Sequence, residues 1–174
     1  MIIKDLVKSA KQGNKEALLT LILEDKDDYY RLAYSYVGNQ HDAMDAMEDM
    51  IVKIYEKIHQ LRKPEMFYSW SRSILVNSCK DQLRKRKKII LVDEFATTAD
   101  AHNPHTQQEA VLEVHYLLEH INEHQREAIT LKYLHDLDYK TIAAITNVSI
   151  GTVKSRIFQG MNKLRDIVRR DLND

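Results

Sequence analysis

Asp138-Tyr139-Lys140-Thr141-Ile142-Ala143-Ala144-Ile145-Thr146-Asn147-Val148-Ser149-Ile150-Gly151-Thr152-Val153-Lys154-Ser155-Arg156-Ile157 reads as two short helices joined by a tight turn. The first helix has apolar inward positions at Ile142 and Ile145, and a small residue, Ala143, where its partner approaches. Asn147 tolerates the unusual φ that such a turn needs, Val148 is expected beneath it, and Ser149 is a suitable N-cap for the second helix. Val153, Ile157, Gly160, Met161, Leu164 and Val168 continue the inward stripe. Thr152, Lys154, Ser155, Arg156, Phe158, Gln159 and Asn162 are displayed outward. From Lys154 to Arg170 there are six basic residues and one acidic, a surplus that suits a helix lying against phosphates. The bland alternative is a helical hairpin with a solvated basic face, which does not require cap, turn residue, small residue and basic face to coincide.

Working outward, Asn122-Glu123-His124-Gln125 reads as a capping box that starts a helix over Arg126 to Leu134. A second box, Thr106-Gln107-Gln108-Glu109, opens a helix with the stripe Val111, Val114, Leu117, Leu118 and Ile121. Residues 106–174 therefore form one small helical domain. Ahead of them, residues 89–105 carry no Lys or Arg, and Asp93, Glu94 and Asp100 make them a flexible acidic linker. Residues 1–88 read as a run of helices. In one, from Ala43 to Leu61, the positions Met47, Met50, Ile51, Ile54, Ile58 and Leu61 recur at helical spacing, while Asp42, Asp45, Glu48, Asp49 and Glu56 fall opposite, with Val52 exposed among them. Pro64 stops this pattern. A second long helix over Glu65 to Lys88 packs Phe67, Trp70, Ile74, Leu75, Ser71 and Ser78 inward and carries Asn77, Lys80, Asp81, Arg84 and Lys87 on its flank. The fold class that follows is all-α: two small helical domains joined by a flexible linker, the C-terminal one a helix-turn-helix.

Only 4 Gly and 2 Pro among 174 residues leave few forced breaks, which favours long helices over a sandwich or barrel. The lone Cys79 excludes an internal disulfide framework and a cysteine-based zinc knuckle, and mid-helix it reads as a packing thiol. Charge enters within the first five residues with no apolar stretch behind it, and no segment approaches a membrane span, so no membrane insertion and a cytoplasmic setting are expected. A net charge of zero conceals a sorted distribution. Residues 1–60 hold 8 basic and 11 acidic groups, 61–88 hold 9 and 2, 89–125 hold 0 and 7, and 126–174 hold 9 and 6. Two separate basic contacts to a polyanion, with acidic surfaces turned elsewhere, would sort charges in this way.

Three blocks in order carry a family resemblance: Asp42-Ala43-Met44-Asp45-Ala46-Met47-Glu48-Asp49; Phe67-Tyr68-Ser69-Trp70 with Ile74, Asn77, Asp81 and Leu83-Arg84-Lys85; and Gln125-Arg126-Glu127 with Thr152-Val153-Lys154-Ser155-Arg156 and Leu164-Arg165. Together they resemble the extracytoplasmic-function group of the sigma-70 family, with only the linker unmatched. The resemblance implies a bacterial RNA polymerase sigma factor, region 2 at 1–88 and region 4 at 106–174. It implies polymerase core and promoter DNA as partners, an anti-sigma factor as controller, and neither cofactor nor metal. Asp45, Glu48, Asp49 and Val52 would dock the polymerase clamp helices. Arg62, Lys63, Phe67, Tyr68, Asn77, Lys80, Asp81 and Arg84 would read and melt the minus-ten element, since opening strands needs a platform for an unstacked base and cations for the displaced backbone. Ser149, Thr152, Lys154, Ser155, Arg156, Gln159 and Lys163 would meet the minus-thirty-five element. The chain departs from the family's usual residues at Glu48 (glutamine), Ile51 (phenylalanine), Ser71 (leucine), Ile121-Asn122 (leucine-proline), Asn147 (glycine) and Gln159-Gly160 (arginine-alanine). The Gln159 change removes an expected phosphate contact.

Other classes fit less well. A stand-alone helix-turn-helix regulator would need a dimer interface in place of an acidic docking helix. An anti-sigma module would not need a basic recognition helix. No nucleophile–base pair, glycine-rich phosphate loop or carboxylate pocket supports an enzyme. His120 and His124 at i, i+4, with His115, His102 and His105, lack the partners of a zinc site and read as exposed histidines.

Overall fold

The computed structural model describes residues 2–90, 114 and 116–171, with 87–90 described by their backbone. The regular structure among these residues is helical, with no strand, so the protein is all-α as expected. The chain divides into two compact units, Met1–Glu94 and Phe95–Asp174.

The N-terminal unit contains α1 (Ile3–Lys11), α2 (Lys15–Glu24), α3 (Lys26–Val37), α4 (Gln40–Lys57), short 3₁₀ turns at Ile58–Gln60 and Pro64–Met66, and α5 (Phe67–Ile90). Local chemistry sets the boundaries. Asn14 and Asn39 cap α2 and α4 by accepting from the Ala17 and Asp42 amides at 3.1 and 2.9 Å. Gly38 ends α3 at φ +78°, where a Cβ would be strained. α4 packs on α3 and α5 through Ala43, Ala46, Met47, Met50 and Ile54. From α5, Phe67, Ser71, Leu75, Val76, Ser78 and Cys79 are fully buried, and burial pushes the Cys79 thiol up to about 12.

Three expected core positions differ. Ile51 is 37% exposed, because the buried stripe centres on Ala43, Met47, Met50 and Ile54 and leaves Ile51 at its edge. Trp70 and Ile74 are half-buried, and Val76 and Cys79 take the centre of the α5 face instead. α5 also runs two residues past Lys88, there being no Gly or Pro to stop it.

The C-terminal unit contains a helical segment at 116–119, α6 (Glu123–Ile129), a π turn (Thr130–Leu134), α7 (Tyr139–Thr146) and α8 (Ile150–Asp171). Asn122 and Asp138 cap α6 and α7 by accepting from Gln125 and Thr141 amides at 2.9 and 2.7 Å. Asn147 adopts φ +54° in the turn, and Ser149 Oγ accepts from the Thr152 amide at 3.1 Å. Leu118, Ile121, Ala128, Ile129, Leu131, Leu137, Ile142, Ile145, Val153 and Ile157 make the core. The helix expected over Arg126–Leu134 starts three residues earlier and relaxes into the π turn at Thr130. Val114 and Val168 are exposed, while Val148, Met161 and Leu164 are half-buried, so the stripe of α8 is fully sealed only as far as Gly160. Val111, the box at Thr106–Glu109 and, from residue 91, the expected linker lie outside the described residues.

Candidate functional site

The exposed half of α4 has two strips. Asp45, Glu48 and Asp49 are exposed as expected, Asp45 having His41 Nδ1 at 3.2 Å. Beside them Met44, Ile51, Val52 and Tyr55 form an apolar strip, with Val52 56% and Tyr55 54% exposed. The Lys15 ammonium lies 5.7 Å from the Tyr55 ring centroid. The sequence pattern finds Val52 but places Ile51 in the core and passes over Met44 and Tyr55. His41, Asp42 and Asp45 bring ligand-type atoms within 4.8 Å of one another, yet Asp42 is already engaged by Arg86 and by the Asn39 amide, both at 2.8 Å.

The segment ahead of α5 presents exposed Arg62 and Lys63. Phe67 requires a correction: it is fully buried, held edge-on by Tyr68 at 5.3 Å and near Trp70 at 6.3 Å, so its ring offers no face to a base. An aromatic that follows a basic loop and begins a helix reads equally as platform or as plug, and here it is the plug. Tyr68 is half-buried. Its hydroxyl donates to Glu24 Oε2 at 2.8 Å, and burial first, then that carboxylate, hold the phenol well above its ordinary range. Arg72 lies over the Tyr68 ring at 5.8 Å and pairs with Asp25. Burial nonetheless keeps the Asp25 carboxyl above the usual carboxylate range, with Arg72 only partly offsetting it. Beneath them Tyr29 and Ser71 share a buried hydroxyl bond of 2.7 Å. Along α5, Asn77 and Arg84 are exposed, Lys80 lies 5.8 Å from the Tyr36 ring centroid, and Arg84 pairs with Asp81.

On α8, Thr152, Lys154, Ser155, Gln159 and Lys163 are exposed and Arg156 is half-buried. Ser149 and Thr152 hydroxyls bond each other at 2.9 Å, so the cap also orients the first outward side chain. Phe158 stands 68% exposed on this face. Tyr139, which the sequence pattern does not single out, sits between two ammonium groups, Lys132 at 5.0 Å and Lys154 at 5.4 Å, and so positions cations at the edge of the helix-turn-helix. Arg126 is structural: its guanidinium donates to the Leu118 and Ile121 carbonyls at 2.9 and 3.4 Å.

Two helical units, the first with an acidic and apolar exposed face on α4 and the second with a helix-turn-helix, fit the class of a two-region transcription initiation factor. The chain matches the family Sigma-70 region 2 over residues 21–89 and the family Sigma-70, region 4 over 111–164. It is 35% identical over 169 residues to the RNA polymerase sigma factor SigV of Bacillus subtilis, spanning 94% of this chain and 98% of that one. To the ECF RNA polymerase sigma factor SigW of the same organism it is 28% identical over 183 residues, covering 97% and 98%. Its fold is similar to that of CnrH solved with the cytosolic domain of CnrY, with TM-score 0.69, 21% identity and 97% of both chains covered. It is also similar to that of the Bartonella quintana sigma factor RpoE solved with the anti-sigma factor NepR, with TM-score 0.68, 24% identity and 86% and 95% covered. The chain belongs to the extracytoplasmic-function group of the sigma-70 family of RNA polymerase sigma factors.

Proposed function

We propose that this sigma factor works through three surfaces on its two units. Residues 1–88 bind core polymerase through Asp45, Glu48, Asp49 and Val52, joined by Met44, Ile51 and Tyr55. The same unit engages the minus-ten element through Arg62, Lys63, Tyr68, Asn77, Lys80, Asp81 and Arg84. Residues 106–174 engage the minus-thirty-five element through Ser149, Thr152, Lys154, Ser155, Arg156, Gln159 and Lys163, and 89–105 tether the two. The observation that carries this reading is α4: apolar side chains as exposed as Val52 and Tyr55, standing with a row of carboxylates, bury little in the fold and suit a partly apolar, basic partner. A stand-alone regulator has no use for such a helix.

The protein acts as an initiation factor rather than an enzyme and works in the cytoplasm, where the polymerase is. Among the described residues no helix is long and apolar enough to cross a membrane. Its relatives in fold were solved with a partner, in one case an anti-sigma factor, which supports control of this chain by an anti-sigma factor.

Reversing Asp45 and Asp49 to Lys tests the α4 assignment. Both side chains lie away from the core, so helical content by circular dichroism should stay unchanged while retention of core polymerase in a pull-down, and run-off transcription with it, fall at least about tenfold, as for loss of close interfacial charge pairs. Unchanged core affinity would sink the assignment of this face.

A further inference from the structure

Gln125 is the one buried polar side chain of the C-terminal unit, among the described residues, whose position the fold alone does not explain. It is 3% exposed, lies on α6 against α8, and its Oε1 meets no hydrogen-bond donor. A buried, half-satisfied amide is a cost that an apolar residue of the same shape would avoid. Its other end points outward: Nε2 donates to Gln159 Oε1 at 3.5 Å, and Gln159 Nε2 in turn donates to Ser155 Oγ at 3.3 Å. A chain of side-chain contacts thus runs from beneath α8 to its exposed face.

The backbone is shaped to permit this. A Cβ on Gly160 would come within 2.6 Å of Ile129 Cδ1, the movable end of that side chain, and 3.1 Å of Gln125 Cβ, so glycine leaves Gln125 its room beneath α8 without displacing either neighbour. Gln159 and Gly160 stand together where the family usually has arginine and alanine.

We propose that Gln125 is a positioning residue for sequence reading. It fixes which end of the Gln159 amide is oxygen and which is nitrogen, and thereby makes Gln159 a reader of adenine in the major groove. With one lone pair taken by Gln125 and one N–H by Ser155, Gln159 keeps one acceptor and one donor. That is the set that meets the adenine N6 amino group and N7 together. An arginine there has five donors and no acceptor, and selects guanine. This inference rests on α8 being the recognition helix.

The test uses the full-length protein with core polymerase and a panel of promoters carrying every base at each position of the upstream element. The wild type should prefer adenine at one position by about tenfold, the discrimination of a good bidentate contact. Gln159→Ala should abolish that preference. Gln125→Met, which replaces the amide by an apolar group of similar length, should abolish it too while leaving the thermal midpoint unchanged or raised. The double variant should show no further loss, since one residue acts through the other. Gln125→Met weakening all sequences equally, or acting additively with Gln159→Ala, would overturn the proposal. So would the absence, in the free wild-type protein, of a nuclear Overhauser contact between the two side-chain amides, a measurement that needs no variant. No base preference at any upstream position in the wild type would instead overturn the reading of α8 as the recognition helix.

Discussion

Single side chains show how this sequence accommodates its departures from the family pattern. Ser71 stands in the core of the N-terminal unit where leucine is usual, and what makes a hydroxyl tolerable there is Tyr29, fully buried, with its phenol 2.7 Å from Ser71 Oγ. Ser71 also donates to the Tyr68 carbonyl at 3.1 Å, so the same hydroxyl helps to hold the first turn of α5. The two ends of the Tyr29–Ser71 bond are therefore unequal. Ser71→Ala leaves the Tyr29 hydroxyl buried without a partner and should destabilise the unit by about 1–3 kcal/mol. Tyr29→Phe leaves Ser71 its carbonyl partner and should cost about 0.5–1.5 kcal/mol, the net worth of one hydrogen bond. Urea denaturation of the two variants measures the difference, and a larger loss for Tyr29→Phe would show that Ser71, not Tyr29, is the end left unsatisfied when the bond is broken. The fate of Phe67 shows a limit of reading single residues. Its neighbours in sequence, Arg62, Lys63 and Tyr68, fit a nucleic-acid platform, but whether a ring points out or in is decided by helices distant in sequence.

At the scale of elements, what was legible in the sequence was what neighbours in sequence decide. The caps at Asn122 and Ser149 and the turn at Asn147 are local chemistry, and the helices begin and end by them, while Asn39 and Asp138, not singled out in the sequence, cap by the same chemistry. Which way each helix faces was legible only in part. Ile51, Ile74 and Trp70 all have helical spacing, but a stripe's centre is set by the partner helix, and α4 turns its alanines Ala43 and Ala46 to the contact instead. Gln125 was legible as the last residue of a capping box but not as a buried side chain turned toward Gln159, since a polar residue in a helix's first turn is ordinarily solvated. The cap of α7 yields a pH prediction. The Thr141 amide, donating to Asp138 at 2.7 Å, holds that carboxyl below its ordinary 3.8. A carboxyl depressed in the fold contributes stability above its unfolded pKa and loses it as pH falls through the folded one. Asp138→Ala should therefore lower the stability of the C-terminal unit by about 1 kcal/mol at neutral pH, and the gap should narrow steadily below 3.8. Thermal melts across that range check it, and a gap independent of pH would mean the loss is not the ionised cap. On α8, position along the helix predicts role. Arg156, close to the N-terminus and half-buried, should set base preference, with Arg156→Ala costing about 1–3 kcal/mol at one promoter position. Exposed Lys163, two turns on, should on replacement by alanine weaken all sequences evenly and flatten the salt dependence. Indistinguishable, sequence-independent losses in binding assays would make Arg156 a phosphate contact.

For the whole molecule, the balance of charge is the guide. The acidic and basic surpluses that cancel in the total belong to different segments, and residues 89–105 contain acids but no Lys or Arg. A segment of that composition is repelled by DNA and suits a basic channel of the polymerase instead. Its length then becomes a mechanical quantity. With α5 continuing to Ile90, residues 91–105 can span at most about 51 Å at roughly 3.4 Å each, and with eight of them removed at most about 24 Å. On the proposed assignment the two promoter elements are separated by a spacer of comparable length, so a tether of this reach would have little slack. Shortening and lengthening should therefore act asymmetrically. Deleting eight residues within 91–105 should abolish run-off transcription from a normally spaced promoter while core binding through α4 stays intact, because the N-terminal unit is untouched. Inserting eight Gly/Ser residues at the same place should cost little, since lengthening a flexible loop adds only about 0.6 kcal/mol per doubling. Full activity of the deletion in that assay would show that these residues are not the tether between the two reading units. A loss on insertion as severe as on deletion would show that the segment acts by its sequence rather than its reach.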